Sequence, residues 1–187
     1  MNKIKLIGLL GRKMSGKDTV ADYVVKKNNF KKVHIASHLK EGIKIFFSFS
    51  DEQLYGNKKD VMDKRWNKTP RECLQYIGTD IFRKEINKFL PNVKDNFWID
   101  SVINSLNNEN TIIADVRFQN EVNIIKQKGG IIIKLTRDST EKDTHLSEIG
   151  IDLIMNYDYL IKNDNCIDNL YKNINMIEKE IKYNLLK

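Results

Sequence analysis

The stretch Leu6–Val20, which reads LIGLLGRKMSGKDTV, constrains the fold more than any other part of the chain. Apolar Leu6, Ile7, Leu9 and Leu10 run into Gly11, and a helical pattern starts after Gly16-Lys17. A buried strand that ends in a glycine loop and turns into a helix gathers backbone N–H groups around one point, where an anion such as a phosphate is stabilised. Gly11 and Gly16 allow backbone angles that a Cβ forbids, and Lys17 adds a mobile cation. The usual form of this loop has Ser or Thr after the lysine, as a magnesium ligand. Here Asp18 stands in that position and Thr19 follows. A carboxylate there serves as a magnesium ligand, directly or through water, or only as a helix cap; the residues leave both open.

A strand–loop–helix start of this kind belongs to a parallel sheet, and the pattern downstream agrees. Strands are predicted at Lys3–Leu10, Lys31–Ala36, Thr111–Val116, Ile131–Thr136 and Tyr157–Lys162. Helices are predicted at Lys17–Asn28, from a cap at Ser37, at Phe118–Lys128 before Gly129-Gly130, and from Cys166 onward. Near-continuous apolar strands alternating with helices imply right-handed crossovers and a sheet covered on both faces. The expected fold is α/β: a three-layer α/β/α P-loop NTPase with a five-stranded parallel sheet in the order 2-3-1-4-5, forming one domain over residues 1–187.

Residues 37–107 read as a helical insertion between two sheet strands. Thr69-Pro70-Arg71-Glu72 is a strong helix start, with Thr as the cap, Pro at the first helical position and Glu closing a capping box. One helix should run from there toward Ile86, and another over Asp95–Leu106. A lid is expected within 117–150, either at Arg117–Lys128 or at Asp138–Gly150.

A length of 187 residues with 41% hydrophobic content allows a single domain with a good-sized core. The formal charge of +7 suits anionic partners, although the abundance of Lys, Asn and Ile also fits an AT-rich coding sequence. Cys73, Cys166, His34, His38 and His145 lack the spacing of a zinc site, and two distant cysteines fit a reduced, cytoplasmic setting. The apolar N-terminal stretch is too short for a signal peptide and runs into Arg12-Lys13. No segment is long enough to span a membrane, and no basic–aromatic groove pattern points to nucleic acid. A homodimer is compatible with these features.

Further charged residues fall where phosphate chemistry would use them. Asp115 ends an apolar strand, Ile112-Ile113-Ala114, where a carboxylate orients hydrated magnesium or caps the next helix. Arg117 follows it, Arg137 ends the fourth strand, and Arg71 and Arg83 lie in the insertion. Twelve residues separate Arg71 from Arg83, close to a multiple of the helical repeat, so one helix face could carry both. Guanidinium forks match phosphate oxygens and neutralise the charge of phosphoryl transfer.

At this level of detail the chain resembles the deoxynucleoside monophosphate kinases of bacteriophages and large DNA viruses, in which GKDT replaces GKS or GKT. The resemblance runs through GRKMSGKDTVADYV, TPRECLQYIGTDIFR (Thr69–Arg83), NFWID (Asn96–Asp100), IADVRFQNE (Ile113–Glu121), GGIIIKLTR (Gly129–Arg137), THLSE (Thr144–Glu148) and YDYLIKND (Tyr157–Asp164). It implies transfer of the ATP γ-phosphate to a deoxynucleoside 5′-monophosphate, with Mg2+. Carried over, Gly11, Lys13, Ser15, Gly16, Lys17, Asp18 and Thr19 hold ATP, and Arg137 meets its phosphates or adenine. Asn163 lies near adenine, and Arg71 and Arg83 bind the acceptor phosphate. Lys17, Asp115 and Arg117 are catalytic, with Arg117 stabilising transition-state charge, and Asp18 and Asp115 are the metal candidates. Gln119 departs from the family, where a Pro is expected, and should affect the start of its helix more than the chemistry. Two other functions stay open at this stage: a kinase of the same fold acting on another phosphorylated small molecule, such as phosphomevalonate, and a nucleic-acid-associated NTPase.

Overall fold

The computed structural model describes residues 6–107, 109–138 and 150–184, and the chain divides into two compact units. The first comprises residues 1–34 and 106–187; the second is 35–105. The predicted lid segment Asp138–Gly150 and the THLSE block fall almost wholly outside the described residues.

The first unit is built on a five-stranded sheet in the order β2-β3-β1-β4-β5, all pairs parallel. Its strands are β1 (Leu6–Gly11), β2 (Lys31–Val33), β3 (Thr111–Val116), β4 (Ile131–Thr136) and β5 (Tyr159–Lys162). β1 lies at the centre and is buried along its whole length, which is why its sequence does not alternate. On one face Leu9, Ile112, Ile133 and Leu135 pack against α1 (Lys17–Asn28) and the C-terminal helix, which is α8 in the numbering used here (Ile167–Asn184). The opposite face is close-packed too. A Cβ at Gly8 would meet Ile132 and Ile125 at 2.7 and 2.9 Å, so glycine lets the helix α7 (Gln119–Gln127) approach.

β2 stops at Val33, before the expected Ala36, and the next helix starts at Ala36 with no side-chain cap from Ser37. β5 starts at Tyr159 rather than Tyr157; Asp158 just before it uses its own N–H and carboxylate to bond Ile132.

The second unit is helical, apart from one isolated bridge between Asp63 and Lys68. It holds α2 (Ala36–Phe47), α3 (Asp51–Leu54), α4 (Pro70–Gln75), α5 (Ile86–Phe89) and α6 (Phe97–Asn104), with a core of Ile43, Phe49, Leu54, Cys73 and Leu74. The capping box before α4 forms as read from sequence. The Thr69 hydroxyl accepts from the Glu72 N–H at 3.1 Å and the Glu72 carboxylate accepts from the Thr69 N–H at 2.8 Å.

The helix that begins there is not a uniform α-helix. After Gln75 it widens into a π-helix over Tyr76–Glu85 before closing into α5. Within this stretch the Gly78 carbonyl also accepts from the Trp98 indole N–H at 2.9 Å. A Cβ at Gly78 would meet the end of the Leu39 side chain at 2.6 Å, so a larger residue there would push that side chain aside.

Candidate active site

The loop between β1 and α1 closes on itself. The Lys17 ammonium donates to the carbonyls of Gly11 and Arg12, both at 2.6 Å, and its side chain is buried. Ser15 N–H donates to the Arg12 carbonyl at 3.2 Å. Gly16 has φ 101°, a left-handed angle that a side chain would strain, and a Cβ there would meet the Asn163 amide nitrogen at 2.5 Å. A Cβ on Gly11 would meet the Leu135 carbonyl oxygen at 2.5 Å. Met14, at the exposed tip, also takes a left-handed angle, φ 62°. The Ser15 hydroxyl is buried and has no hydrogen-bond partner among the described residues. A concave loop of left-handed backbone, an unsatisfied hydroxyl and a lysine at the head of a helix fit a bound phosphate group.

Asn163 supports the loop. Its side chain is buried and donates to the Ser15 carbonyl at 3.0 Å, while its backbone N–H donates to the Thr136 carbonyl at 2.8 Å. The resemblance puts this residue near adenine; the structure gives it a bond that locks the ends of β4 and β5 to the phosphate loop. A cleft of about 350 Å³ opens beside it, lined among others by Met14, Lys17, Thr19, Arg137, Asn165 and Ile167. Arg137 also borders a second cleft of about 300 Å³ on the other side of the loop, with Arg12, Ser15, Lys134 and Asp152.

That second cleft is organised by charges the sequence did not single out. The Arg12 guanidinium grips Asp152 with Nη2 at 2.6 Å and Nε at 3.2 Å, holding the Asp152 carboxyl below the usual carboxylate range. Lys134 is buried on β4 and donates to the carbonyls of Asp152 (3.2 Å) and Ile154 (2.8 Å). Burial pushes its pKa down, against the pull of Asp152.

Asp18 and Asp115 fall on either side of His34. Its Nε2 is 3.7 Å from Asp18 and its Nδ1 is 4.0 Å from Asp115, too far for hydrogen bonds. Asp18 is paired with Lys32 of β2 at 2.6 Å, and the same ammonium reaches Asp22 at 3.0 Å. Partial burial raises the Asp18 pKa. The Lys32 hydrogen bond and charge, with His34 and Lys17 behind them, outweigh that and hold it below the ordinary value. Among the described residues no group of three or more His, Cys, Asp or Glu is placed to hold a metal ion. Two carboxylates near a phosphate loop nonetheless fit magnesium, which takes one or two protein oxygens and keeps water and phosphate for the rest.

Arg117 stands at the turn from β3 into α7. The buried Glu121 carboxylate accepts from the Arg117 N–H at 2.8 Å and from the Phe118 N–H at 3.1 Å, which holds this turn in place. Gln119 occupies the first helical position, where Pro is equally at home, so the departure at this residue leaves the turn intact. Lys13 is exposed at the loop tip.

Arg71 and Arg83 belong to the helical unit. Arg71 pairs with both carboxylate oxygens of Asp60, the Nη2 contact being 3.0 Å, and Arg83 Nη1 donates to the Asp95 carbonyl at 3.2 Å. The sequence reading missed Lys32, Lys134 and Asp152, which strand pairing or chain return brings to the site, and Glu121, whose bonds three and four residues back close the turn locally.

A family profile for deoxynucleotide monophosphate kinase matches residues 5–69 and 50–174. A protein of Acanthamoeba polyphaga mimivirus named "Putative deoxynucleotide monophosphate kinase" is 38% identical over 180 residues, covering 90% of this chain and 93% of the viral protein. Among solved structures, dephospho-CoA kinase from Campylobacter jejuni has a TM-score of 0.53 at 17% identity, over 96% of this chain and 98% of its own. Shikimate kinase from Bacteroides thetaiotaomicron has a TM-score of 0.52 at 13% identity, over 95% of this chain and 98% of its own. These two share the fold. The profile match and the viral relative, both spanning most of the chain, show that this protein belongs to the deoxynucleotide monophosphate kinase family.

Proposed function

We propose that this enzyme transfers the γ-phosphoryl group of ATP to a deoxynucleoside 5′-monophosphate, giving the diphosphate and ADP. One observation carries it: a closed phosphate loop, with Lys17 clasped by Gly11 and Arg12 and a Ser15 hydroxyl unpartnered among the described residues, in a chain of this family. The loop N–H groups, Lys13, Ser15, Lys17 and Thr19 hold the ATP phosphates, and the cleft bordered by Thr19, Arg137 and Ile167 takes the nucleoside end. Asn163 keeps the loop in shape. Asp115 and Asp18 are the carboxylates that would hold magnesium, which when bound neutralises the β- and γ-phosphates.

Arg71 and Arg83 bind the acceptor phosphate. An oxygen of that phosphate is already an anionic nucleophile. It forms its bond to the γ-phosphorus as the bond to the bridging oxygen breaks, and the electron pair leaves with ADP. No proton needs to move, so no general base is required. Positioning and charge neutralisation do the chemistry. Arg117 supplies charge at the turn held by Glu121.

The test is ADP release under ATP and magnesium over a panel of deoxy- and ribonucleoside monophosphates, with phosphomevalonate and single-stranded DNA as further arms. Stimulation by one or more deoxynucleoside monophosphates is expected. Stimulation by phosphomevalonate or DNA alone would exclude the proposed reaction, as would no stimulation at all.

A further inference from the structure

We infer that Lys32 is a positioning residue for the metal site: its ammonium neutralises Asp18 in the metal-free protein and gives that carboxylate up to magnesium, keeping Asp22 as its own partner. This rests on the assignment of Asp18 as a metal carboxylate proposed above. In the usual loop the residue after the lysine is a neutral Ser or Thr, whose hydroxyl lies beside a polyphosphate without charge repulsion. Asp18 brings a negative charge to that position, as the second residue of α1. Two anions at one helix head repel each other, so a bare carboxylate there opposes the nucleotide that the loop is built to hold. Asp22 adds to the problem. It follows at i+4 in α1, the spacing that puts side chains next to each other on one helix face, where like charges destabilise.

The sheet supplies the cation. Lys32 is the middle residue of β2 and pairs with Ile112 of β3. Its Nζ lies 2.6 Å from Asp18 and 3.0 Å from Asp22, whereas His34, at 3.7 Å from Asp18, is beyond hydrogen-bond reach. The Lys32 side chain is 23% exposed and that of Asp18 67%, so the lysine is held against the sheet while the carboxylate keeps a face open to a hydrated ion. The sharing of one ammonium by two carboxylates is what makes an exchange cheap. An ammonium has three donors, and one that holds two acceptors can release the first without losing its last partner. Asp18 can pass to magnesium while Lys32 stays on Asp22, and neither charge is stranded before or after.

The test reads nucleotide binding, not turnover. Isothermal titration without acceptor gives the Kd of ATP in EDTA and in saturating Mg2+, for the full chain and for K32M, D18N and D18N/K32M. The ratio of the two constants is the affinity gained from the metal. Lys32→Met is expected to weaken ATP in EDTA about threefold and to leave the Kd with Mg2+ unchanged or lower, so that the ratio rises about threefold or more. A lysine that only supported the fold would loosen both constants alike. Asp18→Asn is expected to lower the ratio, and adding K32M to it is expected to change the ratio no further. Lys32 has no such role if K32M leaves the ratio unaltered, or raises it by the same factor with and without Asp18, the mark of a general counter-charge. If D18N itself leaves the ratio unaltered, Asp18 does not hold the metal; that assignment and this inference then fall together, while the ADP-release panel still decides the reaction. Should K32M not fold, the wild-type chain decides. On addition of Mg2+ to its ATP complex, the ε-carbon NMR signal of Lys32 is expected to shift while that of Lys31, which points to the other face of β2, stays in place. An unmoved Lys32 signal, or equal shifts of both, would overturn it.

Discussion

Lys17 is held by two backbone carbonyls at the base of its own loop, so its ammonium is poised and partly desolvated before any nucleotide arrives. A cation kept in that way costs little to reorganise as charge develops, which is the property phosphoryl transfer needs. Lys17→Ala and Arg117→Ala are therefore each expected to lower turnover on the order of 10²-fold or more while the fold survives. Steady-state rates check this, and a near-normal rate for Arg117→Ala would remove it from the transition state. A second prediction concerns the pair Lys32–Asp18, which ties β2 to the start of α1. The lowered Asp18 pKa contributes stability that is present above the ordinary carboxylate value of about 4 and is lost as pH falls through the lowered one. The raised Lys32 pKa, with burial opposing and its bonds to Asp18 and Asp22 prevailing, contributes below the ordinary lysine value and fails as pH rises through the raised one. Lys32→Met should accordingly lower Tm equally at about pH 6 and pH 8 and have a smaller effect near pH 3. Asp18 is two-thirds exposed, so the loss stays within about 1 kcal/mol. A pH-independent difference between the melts would count against the pairing.

At the scale of the element, α1 and α4 begin in different ways for different ends. α1 starts at Gly16, with a left-handed residue and no side-chain cap, so its first N–H groups stay available to a ligand. α4 starts at Thr69 with a full capping box and Pro70 at the first helical position, so its end is satisfied internally. The Glu72 carboxyl is pulled down to about 2, first by the Thr69 backbone N–H and then by Lys68 and the Thr69 hydroxyl. Thr69→Ala should cost about 1 kcal/mol in chemical denaturation. It should also raise the Glu72 titration slightly, since the larger pulls of the residue-69 backbone N–H and Lys68 remain, read by carboxyl NMR. A melt unchanged by the substitution would show that the box does not hold α4. Helix existence here was legible in the sequence, since Thr-Pro-x-Glu specifies a start chemically. The π widening was not. Nor was the bond to Gly78 from a tryptophan twenty residues away, since no local pattern announces a remote side chain donating into the ladder.

For the whole molecule, the central strand β1 carries the load. Leu9 is fully buried between β3 and β4 neighbours and faces α1 and α8, so no rearrangement of one layer can fill a hole there. Leu9→Ala is expected to destabilise the chain by about 3 kcal/mol, measured as a lower denaturation midpoint with unchanged slope. A loss below about 1 kcal/mol would mean that this core relaxes freely around the cavity. The same strand ends in the phosphate loop, which makes the stability of the sheet and the geometry of the site one problem. Asn163 at the end of β5 and Lys32 on β2 then brace that loop from either side of the sheet.

The parallel α/β architecture, the phosphate loop and the start of α4 were determined by the sequence alone, because each is specified within a few adjacent residues. Glycines set backbone angles, apolar runs set burial, and caps set helix ends. Tertiary structure alone decided the partners of the charges. Asp18 meets Lys32, Arg12 meets Asp152, and Asn163 bonds the phosphate loop. It also replaced the uniform helix on which the Arg71–Arg83 spacing was read with one that carries a π segment between them. The physical cause is common to these cases. Electrostatic and hydrogen-bond partners are selected by distance in space, which strand order and chain return set, and one-dimensional spacing carries no record of them.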